Sequence, residues 1–369
     1  MAAPAATAGG GGVTRELKAL TSMRGLAAWA VVLFHVRLSI AGLPPAAEAL
    51  LSKGYLAVDF FFLLSGFVIW LSASDMLRAG GLSALPRFLQ RRAARIWPLH
   101  LFMLAVAALL SLALLATGRQ SQQFAWAELP LHLLLLQNWG FTDALRWNDP
   151  AWSISCELGA YLLFPVLVLS VDWRRTPSAV IVLAVLLLLG LLHMGYQLQG
   201  ASSLGEAIPR LGMLRCLLEF AAGTGVGALW LRWQSRWLHA ALGSTFLGVG
   251  LLACAGSGLL PETLALPAGL AALLLTLALS AGRAGNVLEC APLHYLGEIS
   301  YATYLGHFLL WFAFKLVLVG PSGMIGGALL ALYLLLVLVS SVALYHLVER
   351  PAQRWANRLA LPRLRAAAV

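Results

Sequence analysis

Ten separate stretches of mostly apolar residues constrain this sequence more than any other feature. Because about 20 such residues in a helix cross the hydrocarbon core of a bilayer, we expect about ten transmembrane helices in one bundle. Only 11% of the 369 residues are charged, against about a quarter in soluble domains. The sequence therefore predicts an all-α polytopic membrane protein with spans at 18–42, 55–74, 96–117, 152–171, 177–196, 211–231, 237–256, 263–281, 293–319 and 324–347.

The distribution of basic residues orients these spans. With a cytoplasmic N-terminus, 18 of the 25 Lys and Arg residues fall on the inner side, so both termini are predicted to be cytoplasmic. An eleventh span at 128–140 would reverse the later loops, and we expect a re-entrant or interfacial segment there instead. The predicted organisation is a disordered tail (1–14), one transmembrane domain (15–355) and a basic cytoplasmic tail (356–369). The net charge of +10 then reflects basic loops, and no nucleic-acid partner is expected.

Two polar side chains lie on one face of the first span. Arg24 and His35 are eleven residues apart, which returns them to nearly the same side of a helix, ~16 Å apart along its axis. Ionisable groups are costly in lipid and usually face a protein interior or a watery cavity. The sequence therefore predicts a polar path through the bundle.

The second span carries an acid at a depth similar to that of His35. Asp59, Leu63 and Gly66 share one helical face, and the glycine allows another backbone to approach. We expect the Asp59 carboxylate to pair with His35 and to fix the tautomer of its ring. The alternative is that Asp59 is merely hydrated at the membrane interface.

An arginine pair precedes the third span. Arg92 and Arg95 share one face at its cytoplasmic mouth, and guanidinium groups bind phosphate through paired donors in a fixed geometry. The alternatives are a role in topology alone and contact with lipid headgroups. The run "RFLQRRAAR" contains arginine but no lysine.

The fourth span carries a second acid. Glu157 and Tyr161 form an i, i+4 pair, and an acid at this depth requires a partner, for which His35 and Arg146 are candidates. A purely structural ion pair is the alternative. Cys156, beside Glu157, is predicted to be an apolar filler.

A stripe of polar and aromatic residues follows one face of the ninth span and consists of Ser300, Tyr304, His307 and Trp311. This stripe forms either a packed helix interface or one wall of a substrate channel. The remaining histidines lie nearer helix ends and are predicted to be interfacial: His100, His132, His193, His239, His294 and His346.

Six motifs occur in order from about residue 15 to 355: "MRGLAAWAVVLFH", "VDFFFLLSGF", "RRAARIWPL", "WSISCELGAYLLFP", "LGEISYATYLGH" and "VERP". Together they resemble the acyltransferase-3 family of multipass membrane proteins. The resemblance implies transfer of an acyl group, commonly acetyl, from acyl-CoA to a hydroxyl, usually of a carbohydrate. It implies functional roles for Arg24, His35, Asp59, Arg92, Arg95, Trp152, Ser153, Glu157, Ser300, Tyr301, Tyr304 and His307. The sequence departs from the family pattern at Ala57, Leu158 and Gly306. These departures leave the implied chemistry intact and concern the identity of the acceptor.

The resulting hypothesis assigns a role to each group. Arg92, Arg95 and Arg24 bind the donor nucleotide, and His35 acts as general base, oriented by Asp59 or Glu157. Ser153, Tyr301 or His307 donates hydrogen bonds to the oxyanion. Neither a metal nor a permanently bound cofactor is implied.

The expected partners are acyl-CoA as donor, a carbohydrate or glycoside acceptor and the lipid bilayer. The enzyme either completes the transfer alone or hands the acyl group to a separate extracytoplasmic protein. The family and the charge bias place it in the bacterial inner membrane. A proton-coupled transporter or a flippase for an acyl or sugar carrier is the alternative, although the paired broken helices typical of transporters are not found.

Overall fold

The computed structural model describes residues 17–119 and 121–359. The predicted tail 1–14 lies outside these residues, as do residues 360–369 of the predicted basic tail. The described residues form an all-α protein whose helices are α1 (Lys18–Val36), α2 (Pro45–Ser52), α3 (Ala57–Gly80), α4 (Leu85–Ala116), α5 (Leu129–Leu133), α6 (Ala151–Ser170), α7 (Ser178–Leu198), α8 (Ile208–Trp233), α9 (Trp237–Gly256), α10 (Glu262–Ser280), α11 (Ala291–Glu298), α12 (Ser300–Leu318), α13 (Gly327–Leu344) and α14 (Arg350–Arg358).

Each of the ten predicted spans overlaps one long helix of 18 to 32 residues. Eight stretches of the described residues are long and apolar enough to cross a membrane. Two of these stretches, Pro45–Ala116 and Ile208–Gly256, each contain two of the long helices. The prediction of an all-α polytopic membrane protein is confirmed.

The helix boundaries differ from the prediction mainly at charged or irregular positions. Helix α4 begins at Leu85, eleven residues before the predicted span, because its arginine-rich first turns are helical as well. Long arginine side chains keep their charge in water while their stems lie on the helix, so the charges do not end it. The ninth predicted span divides at Ile299 into α11 and α12.

Two close helix contacts depend on glycine. A Cβ at Gly25 would lie 2.7 Å from the Gly297 nitrogen, so α1 meets α11 backbone to backbone beside Arg24. A Cβ at Gly66 would lie 1.9 Å from the Phe220 carbonyl oxygen, so α8 packs equally closely on α3. The predicted role of Gly66 in admitting a neighbouring backbone is confirmed, and that neighbour is α8.

The bundle has two ends that bear on the site. The mouth end is formed by the start of α4 and by α14. The Gln90 amide of α4 donates hydrogen bonds, each 2.7 Å long, to the carbonyls of Ala356 and of Leu359, the residue that follows α14. The opposite end of the bundle, called the far end, is formed by the end of α1, the start of α3 and the start of α6.

The segment 128–140 does not span the bundle. It contains the five-residue α5 and a series of turns over the far end. His132 is only 2% exposed here, and its backbone carbonyl accepts a hydrogen bond from the ring of His100, which is also 2% exposed. The prediction that these two histidines are interfacial is wrong, because the connection between α4 and α6 folds inward over them. Burial of the His132 ring, and to a smaller extent the nearby His100, lowers the pKa of His132 to about 3, so its ring is neutral.

Candidate active site

A cavity of about 640 Å³ enters the bundle from the mouth end. Its volume lies within the range of ordinary ligand sites. Helices α1, α3, α4, α6, α12 and α14 all contribute to its lining. The cavity brings together most of the residues predicted for the site: Arg24, Arg92, Arg95, Ser153, Glu157, Ser300, Tyr301 and Tyr304.

The three predicted donor-binding arginines differ in how firmly the protein holds them. Arg24 donates to the Gly297 carbonyl over 2.8 Å and to Ser300 Oγ over 3.3 Å. Arg95 forms an ion pair with Glu349, which is 1% exposed. Arg92 lies near the Tyr161 ring at 6.0 Å, and its Nε is buried without a hydrogen-bond partner among the described residues. This buried Nε does not face the cavity, but the guanidinium of Arg92 has no ion-pair partner among the described residues, so Arg92 retains the most capacity of the three to bind an anion.

Additional polar residues surround the cavity mouth. Arg87 and Arg91, both exposed, come from α4, and Gln353 and Asn357 come from α14. Among residues 17–119 and 121–359, five arginines line the cavity and Glu157 is the one lining carboxylate. This charge balance favours an anionic ligand.

Glu157 lies in the middle of the cavity wall. It accepts a hydrogen bond from Ser65 on α3, and it interacts with Tyr161 one turn further along α6. The predicted partners of Glu157, His35 and Arg146, are not in contact with it. Arg146 instead pairs with Glu128 at 3.0 Å, because residues 121–150 fold together over the far end.

Aromatic rings close the inner end of the cavity. The Tyr304 hydroxyl lies 2.8 Å from Ser153 Oγ, and the Phe61 ring stands edge-on to Tyr304 with 5.6 Å between centroids. Phe62 stands edge-on to Trp152 at 5.8 Å. Trp152 itself lies behind this layer and does not line the cavity. The polar stripe of α12 is therefore divided: Ser300 and Tyr304 line the cavity, whereas Trp311 packs on Tyr333 of α13 at 4.9 Å.

His35 lies beyond this aromatic layer and pairs with a second histidine. His35 Nδ1 is 3.1 Å from Nε2 of His307 and 2.9 Å from the Val31 carbonyl oxygen. The rings of His307 and Tyr304 are 6.3 Å apart, so one layer of side chains separates the histidine pair from the cavity. The polar path predicted from Arg24 to His35 is not open along its whole length, because the cavity ends one layer of side chains before His35.

The predicted pairing of Asp59 with His35 is wrong. Arg215 of α8 holds Asp59 with two hydrogen bonds of 2.7 and 2.6 Å, and both side chains are at most 1% exposed. A fully buried carboxylate is satisfied by a bidentate guanidinium better than by a neutral ring. Glu219, one turn further on α8, is fully buried beside Asp59. Arg215 also lies over the Trp152 ring at 5.6 Å.

Sequence reasoning missed two charged residues that shape the site. Arg215 was given no role, although its i, i+4 spacing to Glu219 within an apolar helix signals a buried ion pair. Glu349 belongs to the quoted motif "VERP" but was given no role. No group of three or more His, Cys, Asp or Glu side chains that could hold a metal occurs in residues 17–119 and 121–359.

The cavity lies inside a bundle of membrane-spanning helices, with arginines toward its mouth and aromatic rings at its inner end. Comparison with known families identifies the class: the profile described as "Acyltransferase domain" matches residues 17–346. The chain belongs to this acyltransferase family. The resemblance drawn from the six motifs is confirmed.

Two curated relatives match parts of the chain. Acyltransferase MdmB of Streptomyces mycarofaciens is 36% identical over 157 residues, which cover 41% of this chain and 39% of that protein. "Protein 2 in picA locus" of Rhizobium radiobacter is 32% identical over 152 residues, which cover 38% of this chain and 75% of that protein. The match thus spans about two fifths of the length of MdmB. No solved structure matches the chain significantly.

Proposed function

We propose that the enzyme is an O-acyltransferase that moves an acyl group, commonly acetyl, from acyl-CoA to a hydroxyl of a carbohydrate or glycoside. The observation that carries this proposal is the polarity of the cavity. Five arginines line it, mostly toward the mouth, and aromatic rings close its inner end one layer from a histidine pair. Acyl-CoA has the same polarity, with phosphates at one end and a thioester at the other.

The donor enters from the mouth end in this proposal. Arg92, whose guanidinium has no ion-pair partner among the described residues, binds the phosphates together with the exposed Arg87 and Arg91. Arg24 and Arg95 add positive potential from fixed positions. The excess of arginine at this end favours a cavity mouth that faces the cytoplasm in a bacterial inner membrane. Acyl-CoA is found in the cytoplasm.

His35 acts as general base in this proposal, with His307 in the orienting role first predicted for an acid. The Thr303 carbonyl lies 3.1 Å from His307 Nδ1 and can only accept, so that nitrogen carries the proton. His307 Nε2 then accepts from His35 Nδ1, which also faces the Val31 carbonyl. This leaves the His35 Nε2 lone pair for the acceptor hydroxyl proton.

Ser153 and Tyr304 are the proposed oxyanion donors. Of the three groups first considered, Tyr301 donates its hydroxyl to the Ile96 carbonyl over 2.7 Å, and both ring nitrogens of His307 are engaged. Ser153 Oγ donates to the Pro150 carbonyl over 3.1 Å and lies 2.8 Å from the Tyr304 hydroxyl, at the inner end of the cavity. Tyr304 is therefore the hydroxyl whose proton no backbone carbonyl holds, and Ser153 must turn from Pro150 to donate beside it. A donor preorganised at the position of a developing negative charge is worth about 10²–10³-fold in rate.

Arg92→Ala tests the donor site. We expect the dissociation constant for radiolabelled acetyl-CoA to rise roughly 10- to 100-fold, because a charge-assisted hydrogen bond is worth about 1.5–3 kcal/mol. Arg92→Ala alone is preferable to a combined change at Arg92 and Arg95, because removal of Arg95 would leave Glu349 buried without its partner and disturb the fold as well. Arg175→Ala, at a side chain that is 90% exposed, is the control and should bind normally. Unchanged acetyl-CoA binding by Arg92→Ala would remove this arginine from the site.

A further inference from the structure

The inner third of the cavity is apolar, in contrast to its mouth. On α3 the lining runs from Ile69 to Phe61, eight residues or ~12 Å along the helix axis. Phe61, Phe62 and Ile154 line the inner end, where the Ser153 and Tyr304 hydroxyls are the polar groups. If the donor enters as proposed, the acyl group is the part of it that reaches these rings.

The two phenylalanines differ in what lies behind them. Phe62 is 2% exposed and packs on Trp152, whose other contacts include the guanidinium of the fully buried Arg215. That wall is fixed, because displacing it would disturb a buried ion pair. Phe61 is more exposed, and its ring stands against Tyr304, which Ser153 holds by its hydroxyl. The ring of Phe61 is therefore the removable part of the apolar end.

We infer that Phe61 limits the length of the acyl group that the donor can carry. This inference rests on the proposed use of acyl-CoA. An aromatic ring at the end of a narrow cavity occupies the volume that the next methylene groups of a longer chain need. Packed apolar walls do not yield readily to extra carbon atoms, since overpacking forces strained side-chain conformations.

The expected effect is a change in donor selectivity. A single methylene group in an apolar pocket changes discrimination by about 10-fold or more. Phe61→Ala should therefore lower the ratio of the dissociation constants of hexanoyl-CoA and acetyl-CoA by at least about 10-fold. Phe61→Trp should move selectivity in the opposite direction and weaken binding of butyryl-CoA relative to acetyl-CoA.

The test is competition of acetyl-, butyryl- and hexanoyl-CoA against radiolabelled acetyl-CoA on the purified full-length protein, which needs no acceptor. Val68→Ala is the matched control, because Val68 lies two turns from Phe61 on the same face of α3, lines the same cavity and is 44% exposed. Its selectivity should equal that of the parent. If Phe61→Ala does not fold, Phe61→Leu frees less space and should shift the ratio in the same direction.

The outcomes separate the inference from the proposed function. A parent protein that binds acetyl-CoA, with the same selectivity in the Phe61 variants, overturns the inference alone. Equal shifts in Val68→Ala and Phe61→Ala also overturn it, since the effect would not be specific to the inner end. A parent protein that binds no acyl-CoA of any length overturns the proposed function.

Discussion

His35→Ala should lower acyl transfer by ~10²–10⁴-fold, the usual contribution of a positioned general base. The hydrogen bonds of His307 with Thr303 and with His35 leave Nε2 of His35 as the basic nitrogen, and no other described imidazole pair lies next to the cavity. Mass spectrometry of surface glycans and glycosides from cells that make the parent or the variant measures this effect. The readout is the mass increment of one acetyl group. Normal acetylation by His35→Ala would contradict the assignment.

Two further variants separate chemistry from folding. His239→Ala, at an exposed position of α9 far from the cavity, should acetylate normally and be made in equal amount. His307→Gln keeps a side-chain oxygen that can accept from His35, whereas His307→Leu does not. We therefore expect His307→Gln to retain more activity than His307→Leu at equal expression. Equal activity of the two would mean that His307 only fills space.

Arg215→Met should destabilise the folded protein by about 3–5 kcal/mol, the usual consequence of removing one partner from a buried ion pair. Asp59 would remain fully buried with Glu219 beside it and without its cation. Thermal unfolding of the purified protein in detergent measures this effect. An unchanged unfolding temperature would show that the Asp59–Arg215 pair does not hold α3 against α8.

The double variant Asp59→Leu with Arg215→Met provides the sharper test. Replacing both charges with apolar side chains of similar size is often neutral or stabilising, so most of the lost stability should return. Arg175→Ala, which removes an exposed arginine, should leave the unfolding temperature unchanged. A double variant no more stable than Arg215→Met would contradict the view that an uncompensated charge causes the loss.

The sequence predicted the spans well because their signal is local. About 20 apolar residues define a bilayer-crossing helix without any knowledge of its neighbours. The same holds for residues that share a face of one helix, such as Ser300 and Tyr304, which both line the cavity. The eleven-residue spacing of Arg24 and His35 likewise predicted two polar groups pointing into the bundle, and each contacts α12 or the residues just before it.

Pairings between helices were predicted less well because periodicity does not specify them. Asp59 and Arg215 are 156 positions apart, and the glycine contact of α3 with α8 brings them together. His35 and His307 were both selected as site residues, yet their contact depends on how α1 crosses α12. The boundary of α4 was missed for a different reason: its arginines were counted as loop although they continue the helix.

We propose that one cavity, open at the end where α4 and α14 meet, binds the acyl-CoA donor from the cytoplasm. Binding of radiolabelled acetyl-CoA to sealed inside-out and right-side-out membrane vesicles tests it most directly, because CoA esters do not cross the bilayer. We expect saturable binding to inside-out vesicles alone, with loss of that binding in Arg92→Ala. Equal binding at both faces, or binding to right-side-out vesicles alone, would contradict it.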